Sequence, residues 1–113
     1  MIKGIGTDIV DIARIDDKHA SRILSAEELL MYEGFAAVSR KREFLAGRFA
    51  VKEALTKAFA ATPLFFAFNE MSVENDGNGR PLLVKPQLAG IKCWLSISHE
   101  RDYAIALCIL EDA

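Results

Sequence analysis

Apolar and polar residues alternate through residues 2–9, so Ile5, Thr7 and Ile9 share one face and Gly4, Gly6 and Asp8 the other. A first strand is predicted there, and its two glycines clear space beside the carboxylate that follows them. Residues 12–24 form a short basic-amphipathic segment. Ser25, with Glu28 three residues later, is a capping box opening a helix to about residue 33. The longest helix is predicted over about 40–60, with Phe44, Val51, Leu55 and Ala58 as its buried stripe and Pro63 as its stop. Residues 71–74 and 82–84 read as strands joined through the turn residues Asp76-Gly77-Asn78-Gly79. A short helix is expected at 86–90. Residues 93–98 and 103–110 read as a final antiparallel pair turning at 99–102. This order implies an α+β fold, with a small antiparallel sheet packed against one long central helix and shorter helices.

The 113 residues are expected to form one domain, 1–113, whose modest core would gain from oligomerisation. A 51% apolar and 27% charged composition is that of a globular chain, and a formal net charge of −2 argues against a general nucleic-acid binder. Cys93 and Cys108 are too few and too far apart for a zinc framework or a disulfide scaffold, and read as small apolar residues in a reducing compartment. The N-terminus lacks the basic flank and apolar core of a signal peptide. The most apolar stretch, 64–68, is far short of a bilayer span. A cytoplasmic protein without membrane contact is expected.

Glu53 and Lys57 are four residues apart on the long helix and project from one face. Their plain reading is a surface ion pair, worth about 0.3–0.5 kcal/mol. Arg48 and Lys52 have the same spacing but share a sign. With Arg40, Lys41 and Arg42 they suggest a surface for phosphates or an acidic partner. Asp8 reads either as a turn-capping residue or, together with Glu53, as half of a magnesium site, since that ion takes hard oxygen ligands and often only one or two carboxylates. His99 follows Ser96-Ile97-Ser98 at a strand end, where a histidine is either structural or part of a ligand site. His19 has no evident partner. Gly4-Ile5-Gly6 lacks the rest of a dinucleotide fingerprint, no phosphate-binding loop of the GxxxxGK type exists, and Ala50-Val51-Lys52 lies on a helix, unlike the kinase lysine motif.

The run Gly4-Ile5-Gly6-Thr7-Asp8-Ile9-Val10-Asp11-Ile12-Ala13-Arg14-Ile15 resembles the opening of bacterial holo-acyl-carrier-protein synthases. Residues 44–54, Phe-Leu-Ala-Gly-Arg-Phe-Ala-Val-Lys-Glu-Ala, with Lys57 are similar to that family's central signature. Ser96-Ile97-Ser98-His99 resembles its third motif and Asn78-Gly79-Arg80-Pro81 its hairpin. The motifs keep the family's order over nearly the whole chain. The resemblance implies the 4′-phosphopantetheinyl transferase fold and transfer of 4′-phosphopantetheine from coenzyme A to a serine of an acyl carrier protein. It implies Mg²⁺ held by Asp8 and Glu53, with Lys57 stabilising or protonating the leaving phosphate. Arg40, Arg48, Asn78, Pro81, Ser98 and His99 match coenzyme A contacts, and Arg14 matches a residue that docks the acidic carrier. It also implies a homotrimer with active sites between subunits, in which Asp8, Glu53 and Lys57 come from one chain and Asn78, Pro81 and His99 from its neighbour.

One departure from the family stands out. Its central helix is usually followed by a short glycine-rich loop, where this chain has Ala60-Ala61-Thr62-Pro63-Leu64. Alanine and proline restrict the backbone angles available to loop contacts with coenzyme A. The rival reading from another class is a non-catalytic α+β oligomer that senses a nucleotide or an acidic protein.

Overall fold

The computed structural model describes residues 1–113. Strand β1 spans Ile2–Asp11 and is followed by two 3₁₀ turns, Ile12–Arg14 and Asp17–His19. Helices α1 (Ala20–Ile23), α2 (Ala26–Gly34) and α3 (Val38–Phe59) come next. After a third 3₁₀ turn at Phe68–Glu70 the chain is all strand: β2 (Ser72–Asn75), β3 (Pro81–Lys85), β4 (Ile91–His99) and β5 (Tyr103–Asp112). Two antiparallel sheets result, a three-stranded one in the order β1-β5-β4 and the β2-β3 hairpin. The α+β reading holds. The single expected sheet is divided in two.

β1 meets α3 through its glycine face. A Cβ on Gly6 would lie 2.0 Å from the Ala54 carbonyl oxygen, and one on Gly4 would lie 2.2 Å from that of Ala58. The glycines therefore clear space for a helix backbone. Central strand β5 turns Ala104, Ala106, Cys108 and Leu110 to the same helix, and its small residues suit this close approach. Cys93 and Cys108 are free thiols whose sulfurs lie 3.8 Å apart at this inner face.

The expected single stripe on α3 proves too narrow. Val51, Leu55 and Ala58 are fully buried, but so are Ala46, Ala50, Lys52 and Ala54, because α3 is covered by the large sheet on one side and by α1 and α2 on another. Residues 86–90 form a bend and a turn, correcting the expected helix. Five residues opened by proline and closed by Gly90 at φ 73° cannot offset the cost of nucleating a helix.

The capping box of α2 forms as expected, Ser25 N donating to Glu28 Oε1 at 2.9 Å and Glu28 N to Ser25 Oγ at 3.2 Å. Its acid does more than cap. Glu28 is 3% exposed, accepts from Val73 N at 2.8 Å, and pairs with the ammonium of Lys52, itself 0% exposed. Lys52 Nζ also donates to the Ile23 carbonyl at 2.7 Å. Burial draws the Lys52 pKa below its ordinary value, and Glu28 opposes that shift. Lys52 thus leaves the basic surface proposed for residues 40–52 and becomes a buried bolt between α1, α2 and α3.

Candidate active site

Two groups of candidate side chains lie on different parts of the chain. The first is built where β1 crosses α3. Asp8 follows Gly4 and Gly6 on the helix-facing side of β1, and its side chain is 18% exposed. Lys57, in the last turn of α3, donates to the Thr7 carbonyl at 2.9 Å and to Asp8 Oδ1 at 3.4 Å. Glu53, half-buried one turn earlier, joins none of the chain's ion pairs, so the expected Glu53–Lys57 surface pair is replaced by a tertiary one. Glu53 is one helical turn from the lysine that meets Asp8, and two such carboxylates are a donor set that fits Mg²⁺, which needs few protein ligands when water and phosphate complete its octahedron. No cluster of three or more metal-ligating side chains competes for this role.

The second group lines a cleft of about 400 Å³ between the first half of α3, the hairpin and the end of β4. Arg40, Arg48, Asn75, Gly79, Pro81 and His99 face it. Arg48 is buried, with its guanidinium 4.5 Å over the Phe44 ring. Its Nη2 donates to the Val73 carbonyl at 3.1 Å and to Asn75 Oδ1 at 2.7 Å. Its Nε lies 3.7 Å from Glu28 Oε2, without a hydrogen bond. Burial lowers the Arg48 pKa, with Glu28 opposing. His99 Nδ1 is 3.8 Å from Glu43 Oε2. The cleft therefore offers two guanidinium groups, an imidazole and a proline edge beside the carboxylates of Glu43 and Glu74, and its cationic side has chemistry suited to a phosphorylated nucleoside.

Of the residues picked out in the sequence, Arg40, Arg48, Pro81 and His99 come together here. Ser98 does not, because neighbouring strand residues point to opposite faces and Ser98 lies on the outer face with Trp94 and Ser96. Asn78 is exposed in the hairpin turn, outside the cleft lining. Asp8, Glu53 and Lys57 line neither this cleft nor the other main clefts of the chain. Arg14 is exposed at a separate cleft of about 500 Å³ walled by Ile15, Ile23, Phe49 and Phe68. His19 lines it too, 2.6 Å from Arg22 Nη2, so the partnerless histidine has a partner.

Sequence reasoning missed Glu28, Glu43 and Asn75. Glu28 was visible only as a cap; nothing in the local sequence ties Asn75 to an arginine on another element.

Two acids with a lysine, apart from a cleft lined by two arginines, a histidine and the acids Glu43 and Glu74, form an arrangement compatible with phosphoryl-type transfer. Residues 4–108 match the family described as the 4′-phosphopantetheinyl transferase superfamily. The chain is 38% identical over 120 residues to the holo-[acyl-carrier-protein] synthase of Petrotoga mobilis, covering 99% of this chain and 98% of that one. It is 41% identical over 118 residues to that of Staphylococcus carnosus, covering 98% of each. Among solved structures, a holo-(acyl-carrier-protein) synthase from Bacillus anthracis in complex with CoA (3′,5′-ADP) superposes with a TM-score of 0.88 at 40% identity, over 100% of this chain and 99% of that one. The chain belongs to the 4′-phosphopantetheinyl transferase superfamily, as an enzyme of the holo-[acyl-carrier-protein] synthase type.

Proposed function

We propose that the protein transfers the 4′-phosphopantetheine group of coenzyme A to a serine of apo-acyl carrier protein and releases adenosine 3′,5′-bisphosphate, in a Mg²⁺-dependent reaction that supports fatty acid biosynthesis in the cytoplasm. The observation that carries this reading is the meeting of Lys57 with Asp8 at 3.4 Å, beside the unpaired Glu53. The names of the relatives, and the coenzyme A complex of the Bacillus anthracis protein, support the substrate. No helix is long and apolar enough to cross a membrane.

In the reaction the serine hydroxyl gives up its proton to solvent and its oxygen forms a bond to the phosphorus bearing pantetheine. The bond from that phosphorus to the bridging oxygen breaks, and 3′,5′-ADP departs with the electron pair. Asp8 and Glu53 would hold Mg²⁺, which supplies charge neutralisation at the pyrophosphate. Lys57, anchored by the Thr7 carbonyl, is within reach of the same region and stabilises or protonates the leaving phosphate. Arg40, Arg48, Pro81 and His99 hold the adenosine end, with Ser98 and Asn78 as further contacts expected from the family resemblance. Arg14 sits beside an apolar cleft, a pairing that suits an acidic amphipathic helix of the carrier.

The separation of the two residue groups supports an active site shared between copies. Self-association, for which the family resemblance implies a homotrimer, is also favoured by the outer face of the large sheet, where Ile5, Ile9, Trp94, Ile105 and Leu107 are exposed. Mass spectrometry of apo-carrier protein incubated with coenzyme A and Mg²⁺ tests the reaction. A gain of one phosphopantetheine mass that requires the enzyme and the metal is expected, whereas no gain under any divalent metal would return the chain to the sensor reading. Site sharing is tested by co-expressing Asp8→Ala with an inactivating His99 variant. Random mixing should restore about a quarter of wild-type activity. Mixed trimers that remain dead, seen by native mass spectrometry, would confine the site to one chain.

A further inference from the structure

The β2–β3 hairpin meets α3 through the buried Val73, whose carbonyl accepts from Arg48 Nη2, while its turn lies beyond that core at the mouth of the 400 Å³ cleft. The hairpin turn is braced within itself. Asp76 Oδ1 accepts from Asn78 N at 2.8 Å and Arg80 N at 2.9 Å, and Gly79 N donates to the Asp76 carbonyl at 2.9 Å. Such a turn moves as a unit, and what sets its distance from α3 is a separate question.

Asn75, the last residue of β2, answers it. Its Oδ1 accepts from Arg48 Nη2 on α3 at 2.7 Å, and its Nδ2 donates to the Gly79 carbonyl in the turn at 2.9 Å. No other side chain hydrogen-bonds both α3 and this turn. Both lines of its amide are used, so the side chain has one orientation available. Its anchor is rigid as well, because Arg48 is buried, stacked on Phe44, bonded to the Val73 carbonyl and faced by the buried carboxylate of Glu28. Asn75 itself is exposed and takes no part in the core.

We propose that Asn75 is a positioning residue for the nucleotide end of coenzyme A. It acts through Arg48 and Gly79, fixing the turn, and with it Pro81, against Arg40, Arg48 and His99. It governs affinity for the nucleotide and leaves the transfer step alone. This rests on the reading of the cleft as the adenosine site.

The test compares Asn75→Ala and Asn75→Asp with the wild type. Aspartate keeps the acceptor for Arg48 but cannot donate to the Gly79 carbonyl. Calorimetric titration with adenosine 3′,5′-bisphosphate should show affinity about tenfold weaker in both variants, since each loses at least the hydrogen bond to the Gly79 carbonyl. KM for coenzyme A should rise in parallel, with kcat and KM for the carrier protein held within about twofold and the thermal midpoint unchanged. Faster amide exchange at Gly79 and Arg80 in both ligand-free variants should report the freed turn. Wild-type affinity in Asn75→Asp overturns the proposal, since the link to Gly79 would then be idle. A joint fall of kcat, both affinities and the melting point overturns it also, by making Asn75 a general stabiliser. Wild-type protein that binds no bisphosphate sinks the reading of the cleft, and this proposal with it; wild-type binding matched by Asn75→Ala sinks the proposal alone.

Discussion

Lys57 reaches across 49 positions of sequence to Asp8, 3.4 Å away, and leaves Glu53, one turn back on its own helix, unpaired. A local ion pair has thereby been exchanged for a tertiary one. The exchange keeps one carboxylate free and fixes the ammonium against the strand that carries the other.

The two acids should be separable from the fold. Asp8→Asn and Glu53→Gln are expected to melt within a few degrees of wild type, yet to lose roughly a hundredfold or more in transfer activity, because a neutral amide binds Mg²⁺ weakly. Partial recovery at high Mg²⁺ or Mn²⁺ should follow. Near-normal turnover by both variants at low Mg²⁺ would end the metal assignment.

Arg14→Glu should raise the apparent KM for carrier protein by about tenfold or more while that for coenzyme A stays put. In the wild type, carrier affinity should fall as salt rises and screens the contact. Equal loss toward both substrates would mean that Arg14 supports the fold or the reacting centre.

The seam between β1 and α3 has no room for a methyl group. Gly6→Ala drives a Cβ to within 2.0 Å of a backbone oxygen, where no side chain can yield. The expected cost is about 3 kcal/mol or more, with a fall in Tm on the order of 10 °C. Gly34→Ala is the control: it meets no atom within 4 Å, and its melting curve should match or slightly exceed that of wild type.

Lys52→Met should cost about 3 kcal/mol in urea unfolding, because it leaves the buried Glu28 carboxylate with Arg48, 3.7 Å away, as its remaining counter-charge. Adding Glu28→Gln should recover a substantial part of that loss. A double variant no better than the single one would show that the lysine's hydrogen bond to Ile23, and not its charge, holds the helices.

Hydrogen bonds from Arg80 N and then Asn78 N hold the Asp76 carboxyl below 3.8, its ordinary value. The folded value lies under the unfolded one, so the turn's contribution is complete above about 3.8 and is lost as pH falls through the lower folded value. In an NMR acid titration the Asn78 and Arg80 amide resonances should move together, with a midpoint below 3.8. A midpoint at or above that value contradicts the turn geometry.

The α3 boundaries, the hairpin turn and the α2 cap were legible because each depends on residues close together in sequence: Pro63 beyond the helix, Asp-Gly-Asn-Gly between strands, Ser25 with Glu28. The burial of Lys52 was not. Its counter-ion comes from another helix, and an arginine and a lysine four apart look the same whether solvent or a distant glutamate faces them. Asp8, Glu53 and Lys57 stand out through the family resemblance, while their chemistry in isolation favours a turn residue and a surface pair. The direction of the Gly4–Gly6 face was visible as periodicity, but not what it faced. Only packing reveals that the absent side chains make way for the carbonyls of α3.

That seam has a further effect. Two elements in backbone contact cannot slide or rotate separately, so β1 and α3 behave as the arms of a single caliper, with Asp8 on one jaw and Glu53 and Lys57 on the other. The jaw opening is set upstream of Ala60, before the chain enters the stretch where alanine and proline stand in place of a glycine-rich loop. Changes in that loop can reshape what approaches the reacting centre, yet they leave the gauge itself untouched.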